Sequence, residues 1–365
     1  MRLSAGSSKF NRKEDVHMKI LVALWSRDVY KRTWGYSDDQ RLLSLSRAVK
    51  MVQDHVPSSI SNQPGAIHSI FVAPEYFFSA QRNADTDPRA VSEEAKDKLV
   101  VALRALSSLY PKTLLIPGTI AFRKSLVRPQ GKEYKADPNT GNRPQDQARL
   151  KTTSREAKAE RNLKNMLPVM KTTYKGSPED DKKHGSQILD FKAKIEKINK
   201  KAEVIKNQAY VFLNGALKCK YAKKIDVYES VGSDPGVFVP NLKRGVEEIE
   251  NIKFGFEICG DHGGGIFAAL AKSKLAGPPL TSMPDIHIVS SAFIGIEDSK
   301  NPAREGGFLL HASSELSHTH VYHKDKAGQI HVDNSPDNNP RSLFKFPVAL
   351  IEDHDTIDRW IIELV

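Results

Sequence analysis

Cysteine is nearly absent, with Cys219 and Cys259 the two in a chain of 365 residues. That scarcity excludes a disulfide framework and a cysteine-based metal cluster, and it leaves either thiol available for chemistry. Long hydrophobic runs are absent as well. No stretch reaches the roughly 18 apolar residues that a membrane-crossing helix needs. The polar, basic segment 1–17 has no apolar core to act as a secretory signal. The expectation is a soluble, non-secreted, cytoplasmic chain with a flexible tail at 1–17. Aromatic residues are sparse where charge is dense. From Lys124 to Lys206 there are 21 Lys/Arg and 11 Asp/Glu, so this segment carries +10 of the formal net charge of +11, yet its aromatics are Tyr134, Tyr174 and Phe191 alone. A basic stretch with so few rings is a poor platform for stacking bases, so nucleic acid is not an expected partner. Any electrostatic attraction belongs to that segment rather than to the near-neutral remainder.

What is present alternates between two periods. Lys19–Trp25 is a short, nearly continuous apolar run, the pattern of a buried strand. Ser37 and Gln40 have capping-box spacing, and Leu42, Leu43, Val49, Val52 and Val56 recur behind them at helical intervals. Ser69–Ala73 is a second strand, ended by Pro74, which cannot donate to a ladder. A helix follows from Ser92 to Leu109, then a strand at Thr113–Ile116 stopped by Pro117-Gly118. Alternating strand and helix predicts an α/β fold, in which strand ends hold functional side chains. The pattern lapses over 125–206, which reads as a charged, largely helical insertion: a cap over the site, a partner surface, or a solvated excursion. Strands resume at Gln208–Leu213, turn at Asn214-Gly215 and return through Ala216–Tyr221. Later strands are expected at Ile252–Ile258, Asp285–Ser290 and Leu316–Tyr322, with a short helix at Ile266–Ala271.

Three polar residues each stand just past an apolar strand: Glu75, Lys223 and Cys259. A thiol attacks as the thiolate, so a carboxylate to take its proton and an ammonium to steady the charge make a plausible acyl-transfer group, and a reactive Cys259 is expected to have a depressed pKa. Adjacent Lys223 and Lys224 point to opposite faces of an extended segment, and periodicity alone leaves open which faces the thiol. Gly263-Gly264-Gly265 lacks the lysine or glycine spacing of a phosphate cradle and reads as a close-packed turn. His311, His318, His320 and His323 have no cysteine or carboxylate spacing that completes a metal site, although His318 and His320 share a face of the expected strand.

Several segments resemble the nitrilase superfamily of carbon–nitrogen hydrolases, whose hallmark is Glu, Lys and Cys in that order. Val72-Ala73-Pro74-Glu75-Tyr76-Phe77 is similar to its glutamate motif, Ile116-Pro117-Gly118-Thr119 to its following Gly-Thr strand, Tyr221-Ala222-Lys223 to its Tyr-x-Lys, and Ile258-Cys259-Gly260-Asp261 to its Ile-Cys-x-Asp turn. Tyr228-Glu229-Ser230 with Pro235-Gly236 resembles the downstream Glu-Ser and Pro-Gly, which makes Glu229 a candidate second glutamate. The Tyr-x-Lys spacing selects Lys223. The resemblance implies a four-layer αββα sandwich over 18–365, and a Cys259 thioester formed from an amide, carbamoyl or nitrile substrate. Its catalytic group is Glu75, Lys223, Cys259 and Glu229, with Tyr76, Gly260, Asp261 and His262 lining the substrate pocket. It requires no cofactor or metal, and it implies a homo-oligomer. The family often has an aromatic or Arg after the cysteine and Pro-Glu soon after; here Gly260 and His262–Gly265 take those places, implying a wider pocket. The alternative function is a catalytically silent binding protein of the same fold, whose basic insertion recruits an anionic partner.

Overall fold

The computed structural model describes residues 18–29, 36–81, 89–125, 203–225, 237–239, 244–272, 280–332, 343–350 and 356–364. The expected tail at 1–17, most of the insertion, and Glu229 lie outside the described residues. The elements are β1 (Met18–Ser26), α1 (Asp38–Asp54), α2 (Ser58–Ser61), β2 (Ser69–Val72), α3 (Glu93–Leu109), β3 (Thr113–Ile116), β4 (Thr119–Ser125), β5 (Glu203–Leu213), β6 (Ala216–Ala222), β7 (Val237–Phe238), β8 (Val246–Ile249), β9 (Ile252–Ile258), α4 (Gly260–Gly263), α5 (Ile266–Lys272), β10 (Ile286–Ser290), β11 (Phe308–Ala312), β12 (His320–Lys324), β13 (Ile330–Val332), β14 (Leu343–Leu350) and β15 (Thr356–Leu364). No described helix is long and apolar enough to cross a membrane.

Two mixed sheets result, so the fold is α/β as the alternation predicts. The first has the order β14-β15-β1-β2-β3-β5-β4, with β6 and β7 also pairing with β5; the second runs β13-β12-β11-β10-β9-β8. Strand β1 is buried on both faces, which explains its unbroken apolar run. Ile20, Val22 and Leu24 join Phe254, Phe256 and Ile258 of β9 in a core between the sheets. The alternate residues Leu21, Ala23 and Trp25 pack with Leu45 and Val49 of α1 and Leu99 and Leu103 of α3. Both long helices begin as their sequences predict. Gln40 N donates to Ser37 Oγ at 3.3 Å while Ser37 N donates to Gln40 Oε1 at 2.8 Å, and Ala95 N donates to Ser92 Oγ at 3.1 Å. Asn214 (φ 50) and Gly215 (φ 70) form the tight turn between β5 and β6.

Three expectations shift. The buried stripe of α1 runs through Leu45, Ala48, Val49 and Val52, leaving Leu43 52% exposed. Leu316–Tyr322 is not one strand: Leu316–His318 is a single 3-10 turn, and β12 begins at His320. Thr319 causes the break, its hydroxyl accepting from Ser313 N at 3.0 Å and so occupying backbone that a ladder would use. The ends of 125–206 are strand, because Ser125 pairs with Glu203 and Phe122 with Lys206 in the antiparallel β4–β5 ladder. Residues 126–202 therefore connect neighbouring strands, leaving and re-entering the first sheet at one place.

Candidate active site

Glu75 lies beyond β2 and Lys223 directly after β6, both in the first sheet, whereas Cys259 directly follows β9 of the second. The three come from strand ends of two facing sheets. Backbone bonds lock the juxtaposition. Glu75 N donates to Ser291 O at 3.2 Å, Cys259 N to Ser290 O at 3.0 Å and Lys223 N to Asn207 O at 2.8 Å. The loop bearing Glu75 is thus tied to the end of β10, beside the strand that ends in the thiol.

The side chains meet. Lys223 Nζ donates to Glu75 Oε1 at 2.7 Å, with both side chains 0% exposed, and Asn207 Nδ2 donates to the same oxygen at 2.8 Å. The Cys259 thiol is hydrogen-bonded to the Glu75 carboxylate and the Ala292 backbone. Burial, reinforced by the charge of Glu75 and only partly opposed by Lys223, pushes the thiol pKa well up. This direction is opposite to the expected depression, and the thiol has a carboxylate as a hydrogen-bond partner. Cys259 also has φ 44 and ψ −111, a conformation that L side chains rarely adopt. It is the kind of strained turn that is maintained at functional positions.

The surrounding motif residues have physical roles. Gly118 (φ 81) passes so close beneath the Glu75 loop that a Cβ there would sit 2.3 Å from Pro74 O. The next residue, Thr119, accepts from Tyr76 N at 2.9 Å through its hydroxyl. Tyr76 itself has φ 58, and Lys223 Nζ lies 5.6 Å and the Arg89 guanidinium 4.8 Å from the centre of its ring. Gly260 opens α4 immediately after the thiol. Asp261 is turned inward, accepting from Tyr221 Oη at 2.5 Å, Lys224 N at 2.9 Å and Ile225 N at 2.8 Å. Burial raises its carboxyl pKa, opposed by Lys224 and Tyr221. The lysine and cysteine segments are thereby braced against each other. His262 is also turned inward, with Nδ1 2.9 Å from Glu257 Oε2. Asp261 and His262, expected as substrate contacts, are both buried and hold these internal partners.

The lysine ambiguity resolves geometrically. Lys224 lies away from Glu75, its Nζ 3.6 Å from the centre of the Tyr221 ring, and burial lowers its pKa to about 8 against the charges of Asp261 and Glu257. Asn207 escaped the sequence reading, which began this strand at Gln208; flanked by Lys206 and Gln208, it carries no local signal that sets it apart. The four noted histidines each have a near partner: His311 Nε2 lies 2.6 Å from Ser291 Oγ, His318 Nδ1 3.3 Å from Glu315, and His320 Nε2 2.7 Å from Ser317 O, while the His323 ring packs on Phe308.

No family model matches the chain, and no curated protein does. Among solved structures it is similar to a carbon–nitrogen hydrolase from Helicobacter pylori G27, at 11% identity over 93% of this chain and 88% of that one, with a TM-score of 0.42. It is also similar to a glutamine-dependent NAD+ synthetase from Acinetobacter baumannii, at 10% identity over 86% of this chain and 42% of that one, with a TM-score of 0.41. The chain resembles the nitrilase superfamily of carbon–nitrogen hydrolases in its motifs, and a carbon–nitrogen hydrolase is among the solved structures to which it is similar.

Proposed function

We propose that this chain is a nitrilase-type hydrolase, built on a four-layer αββα sandwich, that cleaves a non-peptide carbon–nitrogen bond through a thioester on Cys259. The observation that carries this reading is the buried Lys223–Glu75 pair hydrogen-bonded to a thiol held on a strained turn. An amide or carbamoyl substrate fits better than a nitrile, because a carbonyl oxygen becomes the oxyanion that Lys223 and Gly260 N–H would stabilise.

The raised thiol pKa dictates the order of events. Glu75 removes the Cys259 proton as sulfur attacks the carbonyl carbon, so the thiolate exists only as the new bond forms. Collapse of the tetrahedral intermediate breaks the carbon–nitrogen bond, and Glu75 returns the proton to the departing amine or ammonia. Glu75 then deprotonates a water that attacks the thioester, releasing the acid and restoring the thiol. Lys223 and Asn207 hold Glu75 in orientation through their hydrogen bonds to the same oxygen, Oε1. Glu229 as a supporting glutamate and self-association belong to the same proposal and rest on the family resemblance; the insertion as a cap rests on its length, since long insertions in compact domains tend to carry function.

The test is release of ammonia or amine from a panel of small amides, carbamoyl amino acids and nitriles, with wild type beside Cys259→Ala. Turnover of at least one substrate by the wild type, reduced several orders of magnitude by the substitution, is expected. Full turnover by Cys259→Ala contradicts the proposal. Inactivity of both, accompanied by salt-sensitive binding to an anionic polymer, favours a silent binding protein.

A further inference from the structure

On the face of β9 turned away from the inter-sheet core lies a second polar group that the proposed reaction does not use. Phe254, Phe256 and Ile258 point into that core, so the intervening Glu257 points the other way. There its Oε2 meets Nδ1 of His262 at 2.9 Å and Nε2 of His287 at 3.0 Å. One ligating atom from each residue lies within 4.8 Å of the others, and all three residues are buried. They come from β9, α4 and β10, so tertiary structure rather than a local turn assembles them.

We propose that Glu257, His262 and His287 bind one divalent transition-metal ion of the zinc type. Two imidazoles and a carboxylate form a donor set of that class, leaving a further coordination position for water. The carboxylate is set for single-oxygen ligation because its other oxygen, Oε1, is occupied by Phe267 N at 2.9 Å. The His287 ring is fixed by the edge of Phe267, with ring centres 4.7 Å apart, and by Gly255, where a Cβ would stand 2.4 Å from Nδ1. The distal nitrogens, His262 Nε2 and His287 Nδ1, have no hydrogen-bond partner among the described residues, so the hydrogen bonding of both rings is directed at the shared centre.

The hydrogen-bond partners of the carboxylate are two imidazoles and a backbone amide, and a cation there would compensate its buried charge. Such an ion would fasten β9, β10 and α4 together directly behind the turn that carries Cys259.

The experiment uses the full chain. Elemental analysis of purified protein, then Co2+ titration and Zn2+-dependent melting after chelator treatment, is expected to give about one metal per chain, a visible Co2+ absorption band and a higher melting temperature with Zn2+. Glu257→Gln and His287→Ala should lose all three signals. Cys259→Ala should keep them while losing any hydrolytic turnover, which separates this site from the proposed reaction. If both cluster variants fail to fold, the wild type decides. A wild type with no Co2+ band and no Zn2+ effect on melting, or metal binding abolished by Cys259→Ala, overturns the proposal and leaves a metal-free hydrogen-bonded clamp.

Discussion

Lys223 Nζ and Glu75 Oε1 form a 2.7 Å ion pair in which neither side chain is exposed, joining the end of a hairpin strand to a loop 148 residues earlier. Buried pairs cost much of their attraction in desolvation, yet breaking one by removing a single partner leaves a lone buried charge at a cost of about 3–5 kcal/mol. Lys223→Met should therefore destabilise the protein by about that amount, and adding Glu75→Gln should recover part of the loss. Urea midpoints of the single and double variants measure it. A double variant less stable than the sum of the singles would contradict the coupling.

The backbone at Cys259 yields a prediction that separates stability from activity. At φ 44 a non-glycine residue stores about 1–3 kcal/mol of strain. Cys259→Gly should melt higher than Cys259→Ala, by an amount corresponding to about 1 kcal/mol, with both inactive. Equal melting temperatures would show that the turn is unstrained.

Thiol reactivity follows from the raised pKa. Because burial and Glu75 disfavour the thiolate, alkylation of Cys259 by a small reagent at pH 7 should be slower than that of an exposed cysteine, and should accelerate as pH rises. Glu75→Gln removes one of the raising charges, so its thiol should alkylate faster than that of the wild type at the same pH. Rapid alkylation of wild-type Cys259 below pH 8, measured by mass, would contradict this picture.

Acid should unfold the protein early. Burial holds the pKa of His311 well below its ordinary 6.5. The unfolded chain therefore binds that proton first, and the stability present above pH 6.5 is lost as pH falls below it. The expected slope is about 1.4 kcal/mol per pH unit for each proton taken up. His311→Gln should flatten the decline of the urea midpoint between pH 7 and 5; an unchanged slope would remove His311 from the account.

Local physics made much of this fold legible. The apolar run of β1, the Ser37 capping box and the Asn214-Gly215 turn each encode their element within a few residues, and all three form as expected. The residues surrounding the thiol required tertiary knowledge. Glu257 and His287 are 30 positions apart and meet because β9 pairs in parallel with β10. Asn207 reaches Glu75 only through the folding of β5 behind the β2 loop. The direction of the Cys259 shift was also illegible, since proximity of a lysine favours the thiolate while burial, invisible in one dimension, outweighs it.

The most direct test of the account is intact-mass spectrometry of the protein quenched in acid during incubation with small amides and carbamoyl amino acids, wild type beside Cys259→Ala. The account predicts an acyl adduct that maps to Cys259 in the wild type, is absent from the variant, and identifies the acyl half of the substrate by its mass. An equal adduct on both proteins, or one that maps to Cys219, would contradict the assignment of Cys259 as nucleophile.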